Sequence, residues 1–170
     1  MGRGGNLVAV RIRPATLADA EAIRGIYNLE VTETTHTFDL VPRTLDQQEA
    51  WLTSRLGALA VLVAEDAGDI LGFSSLSTYR DRPAYRTTVE DSVYVARGHQ
   101  GKGVGKALLG AIVEAARGRG YHTVMARIVG GHEASINLHT SLGFGVVGTE
   151  REVGRKFHRW LDVVVMQRML

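Results

Sequence analysis

Between His99 and Lys106 the chain sets three glycines, Gly101, Gly103 and Gly105, beside two lysines, Lys102 and Lys106. A strand-like Val93, Tyr94, Val95 precedes them, and Val104, Ala107, Leu108, Ala111, Ile112 and Ala115 follow at helical spacing. Glycines at a helix N-terminus let backbone N–H groups close on an anion, which the positive end of the helix dipole favours by roughly 0.3–1 kcal/mol. The chemistry implied is capture of a phosphate-bearing cofactor, to which the lysines add charge. Lys106 is followed by Ala107, so the hydroxyl that a nucleoside-triphosphate loop gives to magnesium is missing. Leu108 stands where a dinucleotide fingerprint needs its third glycine. Taken alone, the loop also suits a turn that caps a core helix.

A second irregularity lies just upstream. Carboxylates are depleted in strands, yet Glu90 and Asp91 sit in the middle of the strand-like run from Thr87 to Val95. Alternation puts Val89, Asp91, Val93 and Val95 on one face and Glu90, Ser92 and Tyr94 on the other. Glu90 is then held on a rigid element one strand length from the glycine loop, where burial raises a carboxylate towards the range of a general base. Its alternative role is to meet a cross-strand arginine or a water. Among the histidines, His132 and Glu133 fail the His-Glu-x-x-His zinc pattern because residue 136 is Ile, so no metal site is expected.

Among the elements that must hold these groups, the alternating Val8–Arg13 reads as a first strand ended by Pro14. Thr16 with Asp19 marks a helix start, continued by Ala20, Ile23, Ile26 and Tyr27. Residues 31–43 form a polar loop with one large aromatic, Phe38, and Thr44 caps a second helix carrying Leu45, Trp51, Leu52, Leu56 and Leu59. Strands over 61–66 and 70–75 flank a hairpin turn, the long helix follows the glycine loop, and 123–128 is a strand. A short helix over 133–142 closes at Gly143, and strands at 145–151 and 160–167 end the chain. This order predicts an α+β fold, a mixed, mostly antiparallel sheet flanked by helices.

The 170 residues, 45% of them hydrophobic, suffice for one core: a flexible segment 1–7 and a single domain over 8–170. No apolar run is long enough to span a membrane and the first residues lack a signal peptide's apolar stretch, so a cytoplasmic protein with no membrane partner is expected. The absence of cysteine excludes disulfides and thiolate catalysis, so any acyl group would pass directly between substrates or rest on another nucleophile. A net charge of +2 from scattered basic residues gives little ground for a nucleic-acid partner.

From Ile12 onward the chain resembles the phosphinothricin and methionine sulfoximine N-acetyltransferase group of the GCN5-related N-acetyltransferases (GNAT). The likeness rests on Ile12 to Asp19, Ile26 to Asn28, Thr88 to Val95, His99 to Gly105, Leu138 to Phe144 and Gly154 to Asp162. It implies a GNAT fold and acetyl-CoA as cosubstrate. Backbone groups of Val93, Tyr94 and Val95 would pair with the pantetheine arm, while Gln100, Gly101, Lys102, Gly103, Val104, Gly105 and Lys106 would wrap the pyrophosphate. Glu90 would be the general base, and His139, standing where many relatives have a tyrosine, the acid for the leaving thiolate or a histidine packed beneath the cofactor. Arg80, Asp81, Arg82, Asp91 and Ser92 would border the substrate, with Phe38 as an aromatic wall; Arg86 is a further candidate carboxylate clamp, and each arginine suits a solvated loop as well.

Two departures stand out. His132 replaces an asparagine that commonly touches the cofactor, and the sequence from Arg80 to Ala84 differs from the group's usual pattern. The resemblance implies acetylation of the α-amine of a small glutamate-like amino acid by a homodimer. Another amine acceptor, such as a polyamine or a protein N-terminus, or a non-catalytic acyl-CoA sensor, remains open at this point.

Overall fold

The computed structural model describes residues 10–170, so the expected flexible segment 1–7 and the start of the expected first strand lie outside the described residues. Strand β1 is Arg11–Pro14. Proline is tolerated as its last residue because β1 is an edge strand with one neighbour, and the next amide, Ala15 N–H, donates to Val61 O at 2.9 Å. Asp19 accepts the Thr16 N–H at 2.8 Å, which starts a short 3-10 turn and then α1 (Ala20–Glu33). Helix α1 buries Ala20, Ile23, Tyr27 and Val31 along one face and runs three residues into the expected loop. Thr44 and Gln47 cap each other at α2 (Leu45–Thr53), with Leu56 and Leu59 beyond its end.

Strands β2 (Val61–Asp66) and β3 (Asp69–Thr78) meet at Ala67 and Gly68, both at positive φ, the geometry a two-residue hairpin requires. Then follow β4 (Thr88–Val95), α3 (Val104–Gly118), β5 (Thr123–Val129), α4 (Glu133–Ser141), β6 (Gly145–Lys156) and β7 (Arg159–Met169). The predicted order of elements holds. The last hairpin is longer than expected because β6 continues through a bulge to Lys156, and its turn residues, Phe157 and His158, take positive φ without a glycine to signal it.

The seven strands lie in the order β1-β2-β3-β4-β5-β7-β6, and every neighbouring pair is antiparallel except β4 with β5. The expected mixed, mostly antiparallel sheet is therefore the observed one. One face carries α1 and α2, where Ile23, Tyr27, Val31 and Leu52 pack on Val61, Val63 and Phe73. The other carries α3, whose Leu108, Leu109, Ile112 and Val113 are fully buried, each side chain adding roughly 1.5–3 kcal/mol as an upper figure.

The parallel pair decides where a site forms. It is in register for three residues only, Thr88 with Thr123, Val89 with Val124 and Glu90 with Met125. Past Glu90 the strands part: β4 stays paired to β3, and β5 stays paired to β7.

Candidate active site

Where β4 and β5 separate, the sheet opens into a cleft of about 560 Å³ lined by both strands, the glycine loop and α4. Ala96 N–H donates to Leu71 O at 2.8 Å, so strand alternation turns the amides of Val93 and Val95 away from β3 and into the gap. A buried strand edge without a partner strand is a place for an extended ligand that brings its own amides.

The glycine loop closes one end. Gly103 is the N-cap of α3 at φ 86°, a left-handed conformation that a side chain disfavours, and the first intrahelical bond runs from Ala107 N–H to Gly103 O at 3.0 Å. The amides before Ala107 are thus free to face an anion, with the dipole of a 15-residue helix behind them. Gln100 braces the turn: its Oε1 accepts from Gly98 N–H at 3.0 Å and its Nε2 donates to Val95 O at 3.3 Å. Strand edge, free amides and Lys106 on the lining fit the elongated, pyrophosphate-bearing acetyl-CoA that the sequence implied.

Of the expected cofactor residues, Val93, Tyr94, Val95, Gln100, Gly101, Gly103, Gly105, Lys106 and His132 line the cleft. Val104 and Lys102 do not. The Val104 side chain is a core residue, 2% exposed, leaving only its backbone to the loop, and Lys102 is exposed.

Glu90 lies on the α1 face at the point of divergence, half-buried; the cleft lining begins at the next residue, Asp91, and does not include Glu90. Burial pushes its carboxyl above the ordinary range; the nearby Arg127 charge pulls it down, and Asp91 and Glu150 push it further up. Asp91 points to the opposite face, where its Oδ2 is 3.1 Å from His139 Nε2. His139 Nδ1 is 2.8 Å from Ser135 O, and both Asp91 and His139 are buried. Burial alone would lower the imidazole, but the Asp91 carboxylate and the Ser135 carbonyl outweigh it and hold His139 above its ordinary value. Asp91 thus braces His139 instead of standing free at a substrate pocket.

The expected acceptor residues divide. Asp91 and Ser92 line the cleft. Arg80, Asp81, Arg82 and Arg86 are exposed on the β3–β4 connection and do not line it; Arg80 lies over the Tyr79 and Tyr85 rings, 5.1 and 5.8 Å from their centroids. Phe38 is 42% exposed and packs on Gly154 of β6, where an added Cβ would collide with its ring. It therefore joins the α1–α2 loop to the last hairpin and does not wall the cleft. Lys156 reinforces that junction, donating to Thr37 O at 2.9 Å and to Glu30 O at 3.4 Å.

Sequence reasoning missed two features. Arg127 lines the cleft and forks onto Glu150 of β6, with one contact at 2.9 Å. Its signal was available, since a cation within the apolar strand Thr123–Val129 is as anomalous as the carboxylates of β4. The other is the stack of His36 on His132, centroids 3.7 Å apart and planes 4° from parallel, with His36 Nδ1 3.0 Å from Glu30 Oε2. Among the described residues no group of three or more His, Cys, Asp or Glu side chains is placed to hold a metal, and no helix is long and apolar enough to cross a membrane.

The comparisons with known proteins agree with this geometry. A family model for the acetyltransferase (GNAT) domain matches residues 12–165. The chain is 43% identical over 162 residues to an L-methionine sulfoximine/L-methionine sulfone acetyltransferase of Pseudomonas aeruginosa, with 94% of each chain covered. It is 42% identical over 165 residues to a phosphinothricin N-acetyltransferase of Streptomyces coelicolor, covering 95% of this chain and 96% of the relative. Among solved structures, yncA from Salmonella typhimurium, described with its cofactor acetyl-CoA, gives a TM-score of 0.93 at 41% identity over 95% of this chain and 94% of that one.

Proposed function

This chain belongs to the GNAT acetyltransferase family and is an acetyl-CoA-dependent N-acyltransferase, and from that premise we propose that it acetylates the α-amine of a small glutamate-like amino acid such as methionine sulfoximine, methionine sulfone or phosphinothricin. The observation that carries the reading is Glu90, a half-buried carboxylate on the α1 face of β4 at the point where β4 and β5 part, one residue before the lining of the cleft begins at Asp91. The relatives named for these substrates share about two-fifths of their residues with this chain over almost its full length, which supports the choice of acceptor.

Acetyl-CoA supplies an acetyl group activated as a thioester. The amides of Val93 and Val95 hold the pantetheine arm, and the free amides from Gly101 to Lys106 hold the pyrophosphate. An amino acid arrives as an ammonium, which is not a nucleophile. Glu90, kept basic by burial, takes its proton, directly or through a water, and so exposes the lone pair. His139 holds a proton against Asp91 on the opposite face, where a departing thiolate needs one. The strand amides that bind the arm also face the oxygen on which negative charge develops. No covalent acyl-enzyme is required, in keeping with a chain that has no cysteine.

In this reading residues 8–170 act as one domain, which the single continuous sheet supports, and the enzyme works in the cytoplasm beside its acyl donor. A second copy covers the last hairpin, where Val146, Val147, Val153, Phe157 and Trp160 are all about half exposed or more. Acetylation removes the charge of the acceptor's amine, so resistance to toxic glutamate analogues is the expected biological consequence. The test is thiol release from acetyl-CoA across methionine sulfoximine, methionine sulfone, phosphinothricin, common amino acids and polyamines. Turnover confined to polyamines or a peptide N-terminus would reject the acceptor; CoA binding without turnover on any amine would make the chain a sensor.

A further inference from the structure

An α-amino acid acceptor, the reading on which this inference rests, carries a carboxylate next to the reacting ammonium. The arginines of the β3–β4 connection that could clamp it are exposed and outside the cleft. Two arginines do line the cleft, Arg97 and Arg127. Arg97 pairs with Glu33 at 2.5 Å and directly follows Val95 and Ala96 towards the glycine loop, which puts it at the pyrophosphate end.

We propose that Arg127 reads the acceptor's carboxylate, with Glu150 as the resident counter-ion that holds the guanidinium in position until the carboxylate arrives. Met125 is in register with Glu90, and Arg127 follows two residues later on the same face of β5. That face is fixed by Val124, Ala126 and Ile128, which point into the opposite core. Arg127 and Glu90 therefore share one face of the sheet where the strands part, a cation and an anion matched to the carboxylate and ammonium of one zwitterion. Glu150 accepts one hydrogen from each terminal nitrogen of the fork, and a guanidinium has five, so donors remain for a ligand. With its carboxylate on Arg127, an amino acid presents its amine to Glu90; a polyamine has nothing to place there and leaves the orientation unset.

The test compares methionine sulfone with 3-(methylsulfonyl)propylamine, the same skeleton without the carboxylate. Wild-type protein is expected to prefer the amino acid in kcat/KM, and Arg127→Gln to lose that preference by about 10- to 100-fold, mainly through KM, as removal of a charge-assisted fork predicts. Glu150→Gln is expected to lower KM for methionine sulfone, because the resident competitor is gone. A preference that survives Arg127→Gln, or one that vanishes in Arg80→Gln instead, overturns the inference while leaving the amino-acid acceptor in place. Should Arg127→Gln fail to fold, Glu150→Gln decides alone: an unchanged or raised KM overturns the proposal. Wild-type protein that turns over amines but no α-amino acid refutes the acceptor reading itself, and the role of Arg127 with it.

Discussion

His139 Nε2 lies 3.1 Å from Asp91 Oδ2 in a setting where both side chains are almost wholly buried. The other ring nitrogen lies 2.8 Å from the Ser135 carbonyl oxygen, so both nitrogens face acceptors, an arrangement that suits a ring protonated on both. That setting favours the protonated ring, and Asp91 is the group that raises its proton affinity. A carboxylate that by alternation merely occupied the inner face of β4 is in fact bonded to α4 across the cleft.

The first prediction follows from this pair. In wild-type protein the His139 ring titrates above its ordinary value, and in Asp91→Asn, where the anion is gone and burial is opposed only by the Ser135 carbonyl, it titrates lower than in wild type. NMR of the imidazole resonances checks this. Because the folded value is raised, the stability gained from the pair is complete below about pH 6.5 and lost as pH rises through the folded value. The denaturation midpoint of wild type should therefore fall on the alkaline side relative to Asp91→Asn. Superimposable His139 titrations in the two proteins would mean that the contact does not govern the proton.

Glu90 gives the second. Glu90→Gln should lower kcat by about 10²- to 10⁴-fold with acetyl-CoA binding retained. The acid limb of the wild-type rate profile should lie above the ordinary carboxylate range, since burial, the leading cause, opposes ionisation. The same shift fixes a stability sign. A carboxylate raised in the folded state is a cost once it ionises, so Glu90→Gln should melt higher than wild type near neutrality. Below about pH 4, where Glu90 is neutral in both folded and unfolded chains, the difference should close. A variant as active as wild type would remove Glu90 from the chemistry.

A third concerns the loop. Gly103 holds φ 86° with open space around the position of an added Cβ, so Gly103→Ala suffers from backbone strain and not from a clash. The expected loss of stability is about 1–2 kcal/mol. Because the same residue aims the amides before Ala107, KM for acetyl-CoA should rise while KM for the acceptor stays put. Denaturant melts and initial rates separate the two effects, and equal changes in both KM values would detach Gly103 from the cofactor.

The loop and Glu90 were legible in the sequence because their signals are local: glycine spacing ahead of a helix, and a carboxylate where a strand should be apolar. The order of elements was legible for the same reason, through periodicity and caps such as Thr44 with Gln47. What could not be read depends on which strands become neighbours. Arg127 meets Glu150 only because β7 lies between β5 and β6 and brings them to one face. His36 meets His132 only because the α1–α2 loop folds over the start of α4. Arg80, Arg82 and Arg86 were visible as charges, yet nothing local says that they face outward. Phe157 and His158 hid a hairpin turn because neither is a residue that ordinarily takes positive φ.

The last prediction belongs to that unforeseen stack. His132 is half-buried against the cleft, and burial, with some help from the charges of His36 and His139, lowers its imidazole to about 4 despite the opposing pull of Glu30. A histidine depressed in the folded state is neutral there while its unfolded counterpart, titrating near 6.5, gains a proton; the stability it contributes is full above about pH 6.5 and declines as pH falls towards about 4. Other groups titrate in that window as well, so the readout is the difference between wild type and His132→Asn. The asparagine cannot ionise, and the wild-type denaturation midpoint should drop more steeply between about pH 6.5 and 4 than that of the variant. Since His132 also lines the cleft, a ligand packed on the neutral ring makes its protonation costlier still, so with acetyl-CoA bound the decline that His132 causes should continue to lower pH and grow larger. Parallel midpoints in the two proteins, with or without acetyl-CoA, would show that the stacked pair does not carry the acid sensitivity.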